Sequence, residues 1–250
     1  MSSTSVEIKV PEYEAIGELF KVYEGKPGHI VQVRTIFELV GDIYGKSVLD
    51  LACGYGYFGR EFYKRGASKV VGVDISEKMR EIARSESRKN NEDIDFFVGN
   101  VSKMDVLGSF DVITAAFLFN YSESPQELKS MFEAAFKNLK PGGRVVAYTV
   151  EPDFIFGKGN FSHYGVTVLS NEPCEGGHRM SAEFDTPVSS KFTFYRWPRD
   201  TYEKAIYDSG FTNCFWQKPL VTDADIARHP EGFWDAYQNN CFHTALVCER

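Results

Sequence analysis

The run from Ser47 to Gly59 (SVLDLACGYGYFG), followed by Val70 to Asp74 (VVGVD), admits few folds. A short apolar run bounded by glycines reads as a strand buried on both faces. The glycine cluster then makes a tight turn into a helix, and a second apolar strand ends on a carboxylate. Such a unit builds a parallel sheet with a crevice at its strand ends, the place where α/β sheets hold nucleotides. Gly54, Gly56 and Gly59 fit the G-x-G-x-x-G spacing that lets backbone approach a ligand closely.

That spacing alone does not choose the nucleotide; the carboxylates do. Asp50 stands at the carboxyl end of the first strand and is expected to point into the crevice. A pyrophosphate there would meet a like charge at low dielectric. S-adenosylmethionine has no phosphate, and its sulfonium and amino groups are cationic, so the same carboxylate attracts it. Asp74 is then placed to accept hydrogen bonds from two ribose hydroxyls. One Asp at a strand end can equally cap a helix; two at this spacing argue for a ligand.

Composition narrows the class. The 250 residues are 43% hydrophobic and 25% charged, which suits a globular domain. The 21 Phe, 13 Tyr and 3 Trp exceed what a core of this size needs, and they thicken after residue 153, so some should line a cavity. A net charge of −7 without a basic run argues against nucleic acid as a partner. Cys53, Cys174, Cys214, Cys241 and Cys248 form no C-x-x-C pair, which suggests neither a disulfide framework nor zinc and suits reduced cytosolic thiols. The polar first residues and the lack of a long apolar stretch lead to the expectation of a cytoplasmic protein without a membrane partner.

Along the chain, periodicity predicts helices at Pro11 to Tyr23 and Ile30 to Ile43, ahead of the first strand. Strands follow at Ser47–Ala52, Lys69–Asp74, Ile94–Val98, Phe110–Phe117 and Arg144–Val150. Between them lie helices at Tyr57–Arg65, Ser76–Ser87 and Pro125–Leu139, with a sharp turn at Lys140–Gly143. After Glu151 the alternation stops. Extended runs at Tyr164–Leu169, Met180–Phe184 and Lys191–Trp197 are expected to form an inserted antiparallel flap over the strand ends. Helices at Pro198–Ser209 and Gly232–Gln238, with strands at Phe211–Lys218 and Phe242–Cys248, complete the sheet. The expectation is one α/β domain over residues 1–250, with a Rossmann-like, doubly wound, seven-stranded, mostly parallel sheet whose last strand is antiparallel. It divides into a helical cap (1–46), a cofactor-binding core (47–150), a substrate flap (151–197) and closing elements (198–250).

With these motifs the chain resembles the class I S-adenosylmethionine-dependent methyltransferases over Val48 to Val150. The likeness rests on VLDLACGYG, VGVDIS, GNV at Gly99–Val101, FDVIT at Phe110–Thr114 and LKPGG at Leu139–Gly143. The resemblance implies that Asp50, Ala52 and the Gly54–Gly56 turn hold the methionine end and that Asp74 holds the ribose. Ile75 and Met79 would flank the adenine, Asn100 and Val101 would meet its edge, and Phe117 would lie beside the transferring methyl. Tyr13 (which would also contact the cofactor), the flap and the closing elements are similar to small-molecule methyltransferases of specialised metabolism, of the toxoflavin N-methyltransferase and pyrroloindole C-methyltransferase type. The N/D-P-P-aromatic motif of DNA and glutamine-amide methylases does not follow strand four; the segment there is AAFLFNY, from Ala115 to Tyr121. No obvious ligand set of the catechol type suggests a metal.

The implied reaction moves a methyl to a nitrogen or carbon of a small heteroaromatic or amine metabolite by in-line displacement, leaving S-adenosylhomocysteine. Alternatives are O-methylation of a small molecule, a nicotinamide-dependent oxidoreductase, or a non-catalytic cofactor-binding protein, acting as a monomer or homodimer. Alignment and exclusion of water dominate such catalysis, and a base helps where the acceptor is not a neutral amine. The base candidates are Glu151 and His163, with His29 and His178 behind them. Phe20, Tyr23, Tyr121, Tyr148, Tyr195 and Trp197 form a candidate aromatic box for a flat or cationic acceptor, with ordinary core packing as the other reading of each.

Overall fold

The computed structural model describes residues 23–185 and 190–250. The expected first helix, apart from Tyr23, lies outside them, as do Tyr13 and Phe20. The described elements begin with α1 (Pro27–Val40), β1 (Ser47–Leu51), α2 (Tyr57–Lys64), β2 (Lys69–Asp74), α3 (Glu77–Lys89), β3 (Asp95–Val98) and β4 (Phe110–Ala116). After them come α4 (Pro125–Asn138), β5 (Leu139–Val150), β6 (Val166–Cys174), β7 (Gly177–Phe184), β8 (Ser190–Arg196) and α5 (Arg199–Asp208). The chain closes with β9 (Asn213–Gln217), α6 (Asp223–Ala227), α7 (Asp235–Asn239) and β10 (His243–Glu249). Seven strands form one sheet in the order β3-β2-β1-β4-β5-β10-β9, and β6-β7-β8 form a second, small sheet. Strands β3 to β5 pair in parallel through the centre, and β10 runs antiparallel to both neighbours.

Period-two alternation decides what each central strand gives to each layer. Val48, Val70, Val112 and Val146 pack with Ile36, Phe58 and Phe62, on the side of α1 and α2. Leu49, Leu51, Val71, Val73, Ile113 and Ala115 pack with Leu128, Phe132 and Tyr202, on the side of α4 and α5. All five residues of β1 are buried, as a strand flanked by two others and covered on both faces must be. Local signals set the helix starts. Ser76 caps α3 by accepting from the Met79 N–H, and Ser124 caps α4 ahead of Pro125 by accepting from the Glu127 N–H at 3.1 Å. Ser124→Ala is expected to cost about 1 kcal/mol, read as a melting temperature lower by about 2–4 °C.

The structure corrects the turn expected at Lys140–Gly143. Pairing passes from Phe110↔Leu139 directly to Val112↔Arg144, so residues 140–143 are a bulge within β5. A Cβ on Gly143 would come within 2.9 Å of the Asp111 carbonyl oxygen, which only glycine avoids. The bulge brings Lys140 Nζ to 2.8 Å from Asp111, whose carboxylate also accepts from Ser47 N–H and Oγ at 2.8 and 2.7 Å. Partial burial opposes ionisation there, but Lys140 and Ser47 outweigh it and hold Asp111 down to about 2.

The flap is an antiparallel three-stranded sheet, longer than its sequence signals, and β6 turns into β7 at residues 175–176. Val166, Met180, Ala182 and Phe194 pack their apolar face with Val150, Phe154, Trp234 and Phe242. Between β9 and β10 lies a helix the sequence reading did not anticipate. In α6, Thr222 and Asp225 form a capping box, and Asp225 also accepts from both terminal guanidinium nitrogens of Arg34 on α1. No helix among the described residues is long and apolar enough to cross a membrane.

Candidate functional site

A cavity of about 650 Å³ opens along the carboxyl edge of the sheet, between the glycine turn, α1 and the flap. That size suits a pocket that buries a whole small ligand, roughly 300–1,000 Å³. One end is built by the strand-to-helix turn after β1. The backbone takes left-handed values at Ala52 (φ 55°), Gly54 (φ 53°) and Gly56 (φ 79°), a strained path for alanine that glycine tolerates. At Gly56 a Cβ would also meet the Phe96 ring at 2.9 Å, so the turn can lie down on β3 only without a side chain.

Asp74, at the end of β2, forms part of the cavity wall and is 7% exposed. Its Oδ2 accepts the Gly54 N–H at 2.8 Å and its Oδ1 the Ser76 N–H at 2.9 Å. The carboxylate is thereby fixed in direction, with lone pairs to spare. Burial raises its pKa, and the Ser76 and Gly54 N–H groups work against that rise. Ile75, Met79, Gly99, Asn100 and Val101 continue the wall. Asn100 Oδ1 is already committed to Ser102 N and Oγ at 2.9 and 2.8 Å, capping a short 3-10 turn, so only its NH₂ is left for a ligand.

Asp50 is not part of the wall, contrary to the expectation from sequence. Its in-register neighbour on β4 is Thr114, and parallel neighbours share a face. Thr114 Oγ1 therefore donates to Asp50 Oδ1 at 2.7 Å, while Oδ2 is buried with no partner among the described residues. The residue is 1% exposed. Burial pushes its pKa up to about 7; the Thr114 bond opposes this and the Asp74 charge adds to it. Asp74, not Asp50, presents the anionic rim to the cavity.

The other end of the cavity is aromatic. Phe117 follows β4 with φ 58°, donates its N–H to the Tyr148 carbonyl at 2.7 Å, and sets its ring 5.0 Å from that of His243. Phe184, Phe192, Phe194 and Tyr195 face it from the flap, with Tyr23, His29 and Gln32 from the α1 side. Burial lowers the His243 pKa to about 3, so its ring is neutral at physiological pH.

The cavity brings together the expected Ala52, Gly54, Asp74, Ile75, Met79, Asn100, Val101, Phe117, Tyr23, Tyr121 and Tyr195. Six other expected residues lie off its wall. Besides Asp50, Gly56 packs inward on Phe96. Tyr148 is buried behind Phe117, with its hydroxyl 3.2 Å from that of Tyr237. Trp197 stacks on Tyr195 and donates Nε1 to Ser122 Oγ at 2.8 Å, filling core. Glu151 pairs with Arg199 at 2.7 Å. His163 is exposed, packed on Tyr164 and Phe233. Neither Glu151 nor His163 reaches the cavity, whereas His29, named behind them, does; His163→Ala should leave any transfer rate within about twofold, as surface substitutions usually do. His178 meets Arg196 at 3.1 Å, also off the wall.

Among the wall residues missed are His243, Gln32, Arg179, Glu123, Glu127 and the flap phenylalanines. Phe192 and Phe194 could have been found, since positions two apart on a strand share a face. His243 carried no local signal: it reaches the carboxyl edge because β10 is antiparallel and begins there, opposite Val150. Among the described residues no group of three or more His, Cys, Asp or Glu could hold a metal ion.

Residues 48–143 match the family model described as a methyltransferase domain. A demethylmenaquinone methyltransferase of Lactococcus lactis is 35% identical over 135 residues, covering 52% of this chain and 52% of that protein. The chain spans about half the length of the curated relatives it matches. Among solved structures, an S-adenosylmethionine-dependent methyltransferase from Mesorhizobium loti superposes with a TM-score of 0.66 at 21% identity, covering 88% of this chain and 98% of that one. The S-adenosylmethionine-bound CalS10, an amino pentose methyltransferase from Micromonospora echinaspora, gives 0.61 at 17% identity, over 93% and 95%. The fold is thus the Rossmann-like methyltransferase fold with an added antiparallel sheet.

Proposed function

We propose that this chain, which carries a methyltransferase domain over residues 48–143, transfers a methyl group from S-adenosylmethionine to a small molecule held beneath the flap. The observation that carries the reading is Asp74, a wall carboxylate aimed by two backbone N–H groups and flanked by Gly54 on one side and Ile75 on the other. That geometry suits a ribose diol. Ile75, Met79 and Val101 offer apolar surface to an adenine, and the Asn100 NH₂ offers its edge a donor. When bound, the cofactor would supply an electrophilic methyl on a good leaving group.

The chain's own task is then to position and to exclude water. The flap phenylalanines and Phe117 make an apolar, flat-walled chamber, which favours stacking of a planar acceptor and restricts its approach to the methyl. A heteroaromatic or amine-bearing metabolite, methylated at nitrogen or carbon, fits those walls, and so does a flat ring methylated at a hydroxyl oxygen. Arg179, Glu123 and Glu127 stand on the same wall and give the chamber a polar rim.

Two measurements test the reading. Calorimetry should show S-adenosylhomocysteine binding and no response to NAD; the reverse would replace the proposal with an oxidoreductase. Radiolabelled methyl should then pass to members of a panel of small amines and heteroaromatics. Cofactor binding with no transfer to any of them would favour a binding protein.

A further inference from the structure

Helix α1 brings a second pair of polar groups to the cavity. His29 and Gln32 are one turn apart on the same face and both form part of the wall. His29 Nδ1 lies 2.8 Å from the Glu24 carbonyl oxygen, which can only accept, so Nδ1 carries the proton. The tautomer is therefore fixed, and Nε2 is left as the lone-pair nitrogen, with no hydrogen-bond partner among the described residues. Tyr23 and Tyr57 hold the ring edge-on, each with centroids at 5.4 Å. Gln32 is 5% exposed, and its Oε1 is buried without a partner. An unpaired buried amide costs about 1–3 kcal/mol, which a ligand donor would relieve.

We propose that His29 Nε2 accepts the proton released on methyl transfer, with Gln32 hydrogen-bonding the acceptor, so that the acceptor is a flat ring bearing a hydroxyl or ring N–H. The inference rests on the methyltransferase reading and deepens it. In the step, the acceptor's oxygen or nitrogen forms a bond to the methyl carbon as the carbon–sulfur bond breaks. The sulfur keeps that electron pair and leaves as a neutral thioether, and the acceptor's proton moves to His29 Nε2, leaving an imidazolium.

The surroundings suit an imidazole that starts neutral. Burial lowers the His29 pKa, and the Glu24 carbonyl and carboxylate oppose that. The titratable groups facing it are Tyr23, Glu24 and Tyr57, and the elements packed on α1 add Tyr148, Tyr164 and His243, with His163 exposed beside Tyr164. The cations on these elements are engaged elsewhere, Arg34 with Asp225, Arg144 with the Leu39 carbonyl and Lys140 with Asp111, and the Glu24 carboxylate, which accepts from Tyr55, can stabilise an imidazolium.

The test uses the full chain saturated with S-adenosylhomocysteine, with para-nitrophenol as the hydroxyl probe and nitroimidazole as the N–H probe. Heteronuclear NMR should show His29 protonated on Nδ1 in the free protein. A bound probe should show its anion spectrum, with the imidazole becoming doubly protonated. His29→Ala should weaken that probe by about tenfold or more, as loss of a charge-assisted bond does, and keep S-adenosylhomocysteine affinity within about threefold. His29→Gln should restore part of the affinity without the anion spectrum. Response from either probe supports the proposal and identifies the protic group. Binding that is equal in wild type and His29→Ala, or no binding of either probe, overturns it. Loss of S-adenosylhomocysteine binding by the wild type would instead sink the underlying reading.

Discussion

Asp74→Ala should raise the S-adenosylhomocysteine dissociation constant by about tenfold or more, through loss of charge-assisted hydrogen bonds to the ribose. The substitution also frees the Gly54 and Ser76 N–H groups that the carboxylate now holds. Part of the loss therefore comes through a looser glycine turn. Asp74→Asn separates the two contributions, because its side-chain oxygen can still accept from one N–H while the charge is gone. An intermediate dissociation constant for Asn is expected. An unchanged constant for both variants would place the ribose elsewhere.

The second large effect is at Asp50 and concerns stability. Its folded pKa, near 7, stands above its ordinary value of 3.8 because the carboxyl is buried. The folded state therefore binds more protons than the unfolded state between those values. Stability is full at the acid end of that window and is lost as pH rises through it, at about 1.4 kcal/mol per unit at most. Asp50→Asn keeps an oxygen for the Thr114 hydroxyl and removes the buried charge. Urea unfolding should show Asp50→Asn more stable than wild type by a few kcal/mol near pH 8, on this linkage, with the gap closing toward pH 4. A gap independent of pH would mean that the carboxylate does not ionise in this window.

Asp50 also shows where sequence reasoning reached and where it stopped. Short-range signals carried the core: the glycine turn, the Ser76 cap, Pro125 and the apolar runs of β1 and β4 all sit within a few residues of what they determine. The face that a strand residue occupies depends on register with its neighbours, and Asp50 turned to Thr114 and away from the cavity for that reason. Tertiary partners decided the other misses. Glu151 reads as a free carboxylate at a strand end until Arg199 is brought to it, and Trp197 as a box residue until Ser122 meets its indole N–H. Helix α6 has five residues, too few for a periodic signal, and Arg34 anchors it from 191 positions away. The flap was legible as a change of pattern after Glu151, and its inward face only by counting alternate residues through Phe192 and Phe194.

The chemistry of the cavity was legible in the same uneven way. The end around Asp74 follows from motifs contiguous in sequence, Gly54 to Gly56 and Asp74 to Met79. The aromatic end is assembled from α1, the segment after β4, the flap and the start of β10, which are joined only by the fold. Phe117 and His243 meet at 5.0 Å although one follows a parallel strand and the other begins an antiparallel one. A cavity wall assembled in this way has no compact sequence signature.

A crystal structure of the chain with S-adenosylhomocysteine addresses the central claim most directly. The account predicts both ribose hydroxyls within hydrogen-bond distance of Asp74, the adenine between Ile75, Met79 and Val101, and the sulfur directed toward Phe117 and the flap. A ligand bound away from Asp74, or turned so that its sulfur faces bulk solvent, would contradict it.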